Sequence, residues 1–346
     1  MTSKGELIGL QYLRGIAASI VVLHHLCYSN TDLGPFGVKI FFVLSGFVMW
    51  FTTSSSDVSP VVFWRLRIAR IVPLYWLFLS LLVAVALAPS NHLNTTELTT
   101  QNVILSFLFI PHFHQVQRTL IAPILIPGWS LNYEMFFYLL FGVALLIKPR
   151  PCRALFIGGL LWSLVLLGMW LAPSTAILST YTNPALLLFL GGVLLAMIYQ
   201  KYRVEGAMLG LILIFAGILL ELLGVPYDTW HIESFLGIAA VLIVAGVLAI
   251  EPTLRRAPIN LLRSIGDASY SIYLSHLFFL RLFEVGWRHV PARLGSGFVE
   301  FAFLALSFTL AVAGGVAVHY SIERPMVRLF RVRLLADSVR TPVAGI

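Results

Sequence analysis

Long apolar runs separated by short basic connections constrain this chain more than any other feature. About 20 mostly apolar residues let a helix cross the hydrocarbon core of a bilayer. Because a membrane-spanning segment must satisfy its own backbone hydrogen bonds, and these runs do not alternate as strands would, each is expected to be helical. The sequence therefore predicts an all-α fold, a polytopic membrane helical bundle of about ten transmembrane helices. The predicted spans are 10–28, 37–53, 71–88, 129–147, 154–172, 183–200, 207–224, 233–250, 266–284 and 298–319.

Composition agrees with a membrane protein and argues against a soluble one. Charged residues make up 11% of the 346 residues, whereas a soluble domain of this length would carry about 25%. The excess of basic residues lies between the apolar runs, where it sets topology, so no nucleic acid partner is expected. We predict one membrane domain over residues 1–335 and a short C-terminal tail over 336–346.

The basic connections also predict an orientation. Arginine and lysine are concentrated in the connections on one side of the predicted bundle, whereas the opposite connections hold only Arg118, Arg288 and Arg293. Positively charged connections stay on the cytoplasmic side of a membrane. Both termini are therefore predicted to be cytoplasmic.

The first apolar run, LQYLRGIAASIVVLHHLCY, carries ionisable residues that a simple membrane anchor would not need. Such residues are costly inside a membrane helix and indicate a functional site by default. At about 100° per residue, Arg14 and His25 lie on one helix face, whereas His24 lies roughly 80° away from Arg14. The topology places Arg14 near the inner surface and His25 near the outer one, about 16 Å apart along the axis.

The fourth apolar run opens with GWSLNYEMFFY and carries a polar stripe. Ser130, Glu134 and Tyr138 recur every four residues, so they share one face of a helix. Glu134 is expected at about the depth of His25, where a carboxylate beside an imidazole could fix its tautomer and stabilise its protonated form. The alternative is that Glu134 faces water at the interface beside Trp129.

The segment WRLRIAR places Arg65, Arg67 and Arg70 next to the third apolar run. Arg67 and Arg70 are three residues apart and are therefore neighbours on a helix. Arginine forks match phosphate oxygens, so one interpretation is a cytoplasmic site for phosphate groups. The other is an anchor that binds lipid phosphates at the inner surface, and the spacing fits both.

Several other polar positions are predicted to be structural. Lys39 is expected to reach the membrane interface with its ammonium group, and Ser45-Gly46 to form a small-residue packing contact. His276 is expected to hydrogen-bond to a neighbouring helix, with a pore-lining role left open. The outer His112 and His114 lack the acidic and cysteine residues that a metal site would need, so no metal is predicted.

Five segments together resemble the acyltransferase 3 family of integral membrane acyltransferases, closest to its bacterial exopolysaccharide O-acetyltransferase branch. The order and spacing of the segments carry the resemblance, which extends over roughly residues 7–330. The family's Arg-to-His motif falls on Arg14 and His25, and its Arg-x-x-Arg motif falls on Arg67 and Arg70. The segments are LQYLRGIAASIVVLHH, GVKIFFVLSGFVM, FWRLRIARIVPLYW, FIPH with GWSLNYEMFFYLLF, and GDASYSIYLSH.

The resemblance implies transfer of an acyl group, usually acetyl, from cytoplasmic acyl-CoA to a sugar hydroxyl. It implies a bacterial inner membrane location, a glycan or lipid-linked glycan acceptor, contact with membrane lipids, and partners in polysaccharide biosynthesis or export. His25 would take the proton of the acceptor hydroxyl, and Glu134 would orient His25 or bind the acceptor. The remaining roles are donor binding by Arg14, Arg67 and Arg70, and substrate binding or support by Ser130, Asn132, Tyr138 and Lys39.

Two alternative functions remain open from the sequence. Arginine, histidine and glutamate at two depths would also suit the polar pathway of a transporter. The paired broken helices and repeats that mark many transporter folds are not seen in the sequence, which argues against this alternative. An acyltransferase that modifies a small secreted metabolite, an antibiotic or a lipid is the second alternative.

Overall fold

The computed structural model describes residues 7–27, 33–54, 57–88, 98–223, 230–287 and 296–331. Within these ranges the chain forms helices and no strand, which confirms the all-α prediction. An isolated bridge between Phe113 and Ile121 closes a turn in the connection between the fourth and fifth helices. The predicted tail over 336–346 lies outside the described residues.

The described residues form fourteen α-helices. The last one continues through a π-helical turn, His319–Glu323, into a helical stretch that ends at residue 331. The helices are α1 Ile8–Cys27, α2 Leu33–Thr53, α3 Pro60–Leu87, α4 Thr100–Phe107, α5 Trp129–Ala144, α6 Arg150–Leu171, α7 Ala176–Tyr181, α8 Leu186–Tyr202, α9 Ala207–Leu222, α10 Trp230–Ala249, α11 Glu251–Arg256, α12 Asn260–Asp267, α13 Ser269–Trp287 and α14 Ser296–Val318.

Six helical segments among the described residues are long and apolar enough to cross a membrane. Two further apolar helices, Ala207–Leu222 and Gly237–Ala249, are shorter. Each of the ten predicted spans overlaps a helix, but the number ten and the cytoplasmic position of the termini stay predictions. The six segments are Ile8–Cys27, Gly34–Thr53, Pro60–Leu87, Arg150–Leu171, Ala176–Tyr202 and Val299–Arg331.

The third helix begins earlier than the sequence predicted. Residues 54–70 were expected to form a connection before a span at 71–88, but α3 begins at Pro60. Ser59 caps it by accepting a hydrogen bond from the Val62 amide at 3.3 Å, and proline suits the first helical turn because its missing N–H is not needed there. The arginines of WRLRIAR therefore lie on the same helix as the third span.

The ninth predicted span is interrupted near its start. Asp267 is the last residue of α12, and α13 begins at Ser269. Ala268 at the junction is completely buried. A side chain at Gly266 would overlap the backbone of Gln11, so the glycine lets α12 lie directly against α1.

The chain divides into two units. The first comprises Met1–Leu44, Ile198–Pro226 and Phe235–Glu323, and the second comprises the remaining residues. The boundary between Leu44 and Ser45 falls inside α2. The first unit holds α1, α9, most of α10 and α11 to α14, and the second holds α3 to α7 and most of α8.

Small residues bring the helices of the first unit close together. Its core contains Ala18 and Val22 of α1, Ala268 and Ile272 at the start of α13, and Ala311 of α14, all completely buried. Helices in membranes associate through this kind of close packing, because lipid tails give no hydrophobic drive for helices to pair. The packing fixes α1 between α12, α13 and α14.

A buried carboxylate holds the start of α1. The Glu251 side chain accepts hydrogen bonds from the Ile8 amide at 2.8 Å and the Gly9 amide at 2.7 Å. Arg255, one turn further along, donates to the same carboxylate at 2.7 Å. A negative charge is favourable at a helix N-terminus, where the first amides have no partner within the helix. Glu251 therefore holds the N-terminal end of α1, the helix that carries Arg14.

The second unit is built around α3 and α5. Gly46 of α2 approaches the backbone of Phe189 in α8 so closely that a side chain at residue 46 would overlap it, as the small-residue interpretation of Ser45-Gly46 predicts. Phe137 of α5 stacks on Phe189 with ring centroids 4.5 Å apart. On α3, Tyr75 donates a hydrogen bond to the Ser106 carbonyl at 3.0 Å. These contacts join α2 and α5 to α8, and α3 to α4.

Replacing Glu251 tests its role at the start of α1. Glu251→Ala leaves two helix-terminal amides and Arg255 without their partner, so we expect a loss of about 2–4 kcal/mol in the free energy of unfolding. Glu251→Gln keeps an acceptor and should lose less. Thermal unfolding of the purified protein in detergent measures both, with the exposed Glu205→Ala as control. Equal midpoints for Glu251→Ala and Glu205→Ala would contradict this role.

Candidate active site

His25 lies near the end of α1 in a defined tautomer. Its Nδ1 is 2.9 Å from the carbonyl oxygen of Val21, four residues earlier. A carbonyl oxygen only accepts hydrogen bonds, so Nδ1 carries the proton and Nε2 keeps a lone pair. The side chain is half-buried. His25 is therefore prepared to accept a proton at Nε2.

The two neighbouring histidines point to different helices. The ring of His24 packs against Gly34 of α2, where a Cβ would lie 2.5 Å from the imidazole carbon Cδ2. The ring of His25 instead contacts His276 of α13, with centroids 4.9 Å apart. Helical phase predicted that the two side chains face different directions, and the contacts agree. His24 has a packing role against α2, and His25 has an imidazole neighbour.

His276 is completely buried in the first unit. Its Nδ1 donates to the carbonyl oxygen of Tyr273 at 2.7 Å. The prediction that His276 hydrogen-bonds to a neighbouring helix is therefore wrong for Nδ1. This atom instead reaches the carbonyl oxygen of a residue three positions earlier in the same helix. Its Nε2 is a buried atom for which the described part of the chain provides no hydrogen-bond partner. We call His25 and His276 the imidazole pair.

Glu134 forms the centre of a second polar cluster, in the second unit. Its Oε1 accepts a hydrogen bond from the Ser45 hydroxyl of α2 at 2.8 Å. The same oxygen accepts a short hydrogen bond from the Tyr138 hydroxyl, one turn along α5. The carboxylate is thus hydrogen-bonded within the protein, and the predicted stripe of Glu134 and Tyr138 exists. The alternative of a carboxylate that only faces water is not what these contacts indicate.

Arg67 of α3 extends this cluster. Its guanidinium lies over the rings of Phe63 at 5.6 Å and Tyr138 at 5.9 Å, distances at which cations and aromatic faces attract. Its Nε is buried without a hydrogen-bond partner among the described residues. Tyr138 therefore contacts both Glu134 and Arg67, and the edge of the guanidinium keeps a donor for a ligand. We call Ser45, Glu134, Tyr138 and Arg67 the Glu134–Arg67 cluster.

Trp64 fixes α3 against α5 next to this cluster. Its indole Nε1 donates to the Tyr138 carbonyl oxygen at 3.0 Å. The indole lies on Gly142 so closely that any side chain at residue 142 would overlap it. Trp64 is one turn before Arg67 on α3, so this contact sets where the guanidinium lies.

The other predicted site residues have more varied surroundings. Ser130 is buried, and its hydroxyl donates to the Pro127 carbonyl at 3.3 Å. Asn132 is buried with its Oδ1 lacking a partner in the described ranges, and it lies about 200° around α5 from Glu134, on the opposite face. Arg14, Lys39 and Arg70 are half-buried. The Nζ atom of Lys39 is buried, so the prediction that its ammonium group reaches the membrane interface is wrong.

The predicted contact between His25 and Glu134 stays a prediction. His25 and His276 belong to the first unit, whereas the Glu134–Arg67 cluster belongs to the second. The roles assigned to all the predicted site residues remain hypotheses about chemistry.

His112 and His114 are built into a turn. His112 Nδ1 donates to the Ile110 carbonyl at 2.8 Å, and His114 Nδ1 accepts from the Gln117 amide at 3.2 Å. Burial, and secondly the nearby His112, lowers the pKa of His114, in agreement with a neutral ring that accepts at Nδ1. Within the described ranges, no three His, Cys, Asp or Glu side chains are arranged to hold a metal ion.

Ser45, a member of the Glu134–Arg67 cluster, was not recognised from the sequence as a site residue. Neither was Trp64, which packs beside the cluster. Ser45 was interpreted as a packing residue only, although a hydroxyl within an apolar run itself calls for a partner. Trp64 was not singled out, although it stands directly before the arginines. Both roles depend on which helices are neighbours, and spacing along one helix does not give that information.

Comparisons with known proteins agree on one family. The family profile described as an acyltransferase domain, of the acyltransferase 3 type, matches residues 7–320. The chain is 37% identical over 305 residues to the exopolysaccharide production protein ExoZ of Rhizobium meliloti, which covers 87% of this chain and 92% of the relative. No solved structure gives a significant match.

Two more distant relatives carry names that state a reaction. The acyltransferase MdmB of Streptomyces mycarofaciens is 28% identical, with 86% of this chain and 82% of the relative covered. The peptidoglycan O-acetyltransferase OatA of Listeria monocytogenes is 27% identical, with 76% of this chain and 48% of the relative covered.

Proposed function

This chain belongs to the acyltransferase 3 family and is a membrane acyltransferase, and we propose that it transfers an acetyl group from acyl-CoA to a sugar hydroxyl. The acceptor would be an exopolysaccharide, another cell-surface glycan or a lipid-linked precursor. The names of two relatives support this choice, because one refers to exopolysaccharide production and the other to O-acetylation of a glycan.

The observation that carries the proposal is the hydrogen bond between His25 and Val21. In this bond Nδ1 lies 2.9 Å from the carbonyl oxygen and carries the proton, so Nε2 is left as a base. An acceptor hydroxyl must lose its proton as its oxygen attacks an acyl carbon, and a positioned imidazole assists this step by about 10²–10⁴-fold. His25 is therefore the general base of the proposed reaction.

The proposed step balances without any further reactant. The hydroxyl proton moves to His25 Nε2 while the hydroxyl oxygen bonds to the thioester carbonyl carbon. The carbon–sulfur bond then breaks, and the CoA thiolate takes the proton back from His25. The products are an O-acetyl ester and free CoA, and neutral His25 is restored.

The Glu134–Arg67 cluster suits the donor end of the reaction. CoA carries several phosphate groups, and an arginine with an unused donor edge matches a phosphate oxygen pair. Arg67 keeps a buried Nε without a partner in the described residues, and Arg70 follows one turn later on α3. We assign both residues to the CoA phosphates, Arg14 to the donor path, and Glu134 to the orientation of His25 or of the acceptor.

The proposed location is the inner membrane of a bacterium, with ten spans and both termini in the cytoplasm. The concentration of arginine and lysine on one side supports this orientation. It places Arg67 and Arg70 on the side where acyl-CoA is made. Lys39, Ser130, Asn132 and Tyr138 are assigned to substrate binding or support, and partners in polysaccharide synthesis or export would supply or remove the glycan.

Substituting the two neighbouring histidines one at a time tests the proposed base. His25→Ala should reduce transfer of radiolabel from acetyl-CoA to glycan by about 10²–10⁴-fold, because the proton acceptor is lost. His24→Ala is the matched control and should keep most of the activity. Membranes with equal amounts of each protein are compared. Full activity of His25→Ala would contradict the assignment.

A second experiment separates a donor site from a lipid anchor. Loss of charge-assisted hydrogen bonds in Arg67→Ala/Arg70→Ala should raise the KM for acetyl-CoA by about 10–100-fold, with the KM for glycan little changed. Arg65→Ala, in the same segment, is the control. An unchanged KM for acetyl-CoA would contradict the donor site and leave the pair as a lipid anchor.

A further inference from the structure

We infer that His276 is a second acceptor-binding residue, which takes a hydrogen bond from another hydroxyl of the substrate that His25 deprotonates. This inference rests on the proposed function, since it assumes that His25 is the base. It adds a specificity requirement: the acceptor carries at least two hydroxyl groups close together, as sugars and other polyols do.

The tautomer of His276 is defined in the same way as that of His25. Its Nδ1–H donates to the Tyr273 carbonyl at 2.7 Å, so Nε2 is left with a lone pair and no proton. The two residues of the imidazole pair therefore offer two bare Nε2 atoms, each at the distal end of its ring. The ring centroids are 4.9 Å apart and the planes are tilted by 60°.

A buried acceptor without a donor is unfavourable. His276 is completely buried, and its Nε2 has no hydrogen-bond partner in the described ranges. Leaving such a group unsatisfied costs about 1–3 kcal/mol. An apolar side chain would avoid this cost, so a donor that arrives with the substrate explains why an imidazole stands here.

The contact with His25 identifies where that donor comes from. The ring of His276 has no exposed surface of its own, but it touches the half-buried ring of the proposed base. We place that donor on the molecule whose reacting hydroxyl meets His25 Nε2, because the rings of His25 and His276 lie side by side.

The chemistry of a bare imidazole nitrogen limits the nature of that group. Nε2 without a proton accepts from hydroxyl or amide N–H groups and gives no hydrogen bond to ethers, carboxylates or phosphates. A group next to a reacting sugar hydroxyl is most commonly another hydroxyl. A polyol acceptor matches both nitrogens, whereas a lone alcohol matches only one.

Three substitutions separate this role from a structural one. The amide of glutamine reaches the position of Nε2, whereas the shorter asparagine reaches only the position of Nδ1. His276→Gln therefore keeps an acceptor for the substrate, His276→Asn keeps only the bond to Tyr273, and His276→Ala keeps neither. The detergent-solubilised proteins are assayed with radiolabelled acetyl-CoA and surface glycan from which acetyl groups have been removed by mild base.

We expect His276→Ala and His276→Asn to raise the KM for glycan by about tenfold, the effect of one lost hydrogen bond. The KM for acetyl-CoA should not change, and His276→Gln should recover most of the affinity for glycan. Recovery by asparagine but not glutamine would overturn the inference, because it would show a structural role for Nδ1. Wild-type KM values in all three variants would overturn it as well. If His276→Ala does not fold, the KM values for glycan of His276→Gln and His276→Asn alone decide between the two roles.

The His25→Ala variant separates this inference from the proposed function. Full activity of His25→Ala contradicts the proposed base, whatever the His276 variants do. Loss of activity in His25→Ala with wild-type KM values in the His276 variants overturns only the second acceptor-binding residue.

Discussion

A polar side chain inside an apolar helical bundle must find its hydrogen-bond partner within the protein, and the structure depends on how each one does so. His25 and His276 each use a carbonyl of their own helix, at 2.9 Å and 2.7 Å. Glu134 uses hydroxyls of Ser45 and Tyr138. In both histidines the bond to the carbonyl uses Nδ1, so Nε2 stays available as a base or as a hydrogen-bond acceptor. The same constraint that stabilises the helices thus fixes the tautomer of the proposed base.

The imidazole pair and the Glu134–Arg67 cluster have different chemical properties. The imidazole pair in the first unit offers bare nitrogen acceptors, which suit hydroxyl groups. The Glu134–Arg67 cluster in the second unit combines a hydrogen-bonded carboxylate with a guanidinium that lies on aromatic rings, and its free edge suits phosphate. A transferase with a phosphate-rich donor and a polyol acceptor needs both properties. This difference supports the proposed assignment of Arg67 to the donor and of His25 to the acceptor.

Much of the fold could be predicted from the sequence. The apolar runs are long enough to cross a membrane, and a helix satisfies all backbone hydrogen bonds within such a run. Helical phase also separated His24 from His25, since the angle between successive residues is fixed by helix geometry. The start of α3 at Pro60 was missed because the basic segment was treated as a connection, although Ser59 and Pro60 form a helix start. The contacts of Ser45 with Glu134 and of Trp64 with Gly142 could not be predicted. Both contacts depend on which helices lie next to each other, and a single sequence does not give that information.

We propose that this membrane protein joins an acetyl group from acyl-CoA to a glycan hydroxyl. The most direct test reconstitutes the purified protein in lipid vesicles with acetyl-CoA labelled in the acetyl group and de-O-acetylated surface glycan. The quantity measured is base-labile label in the glycan relative to free CoA released. We expect equal amounts of the two, both dependent on the protein. Release of CoA without labelled glycan, or movement of glycan across the vesicle membrane without acetyl-CoA, would contradict it.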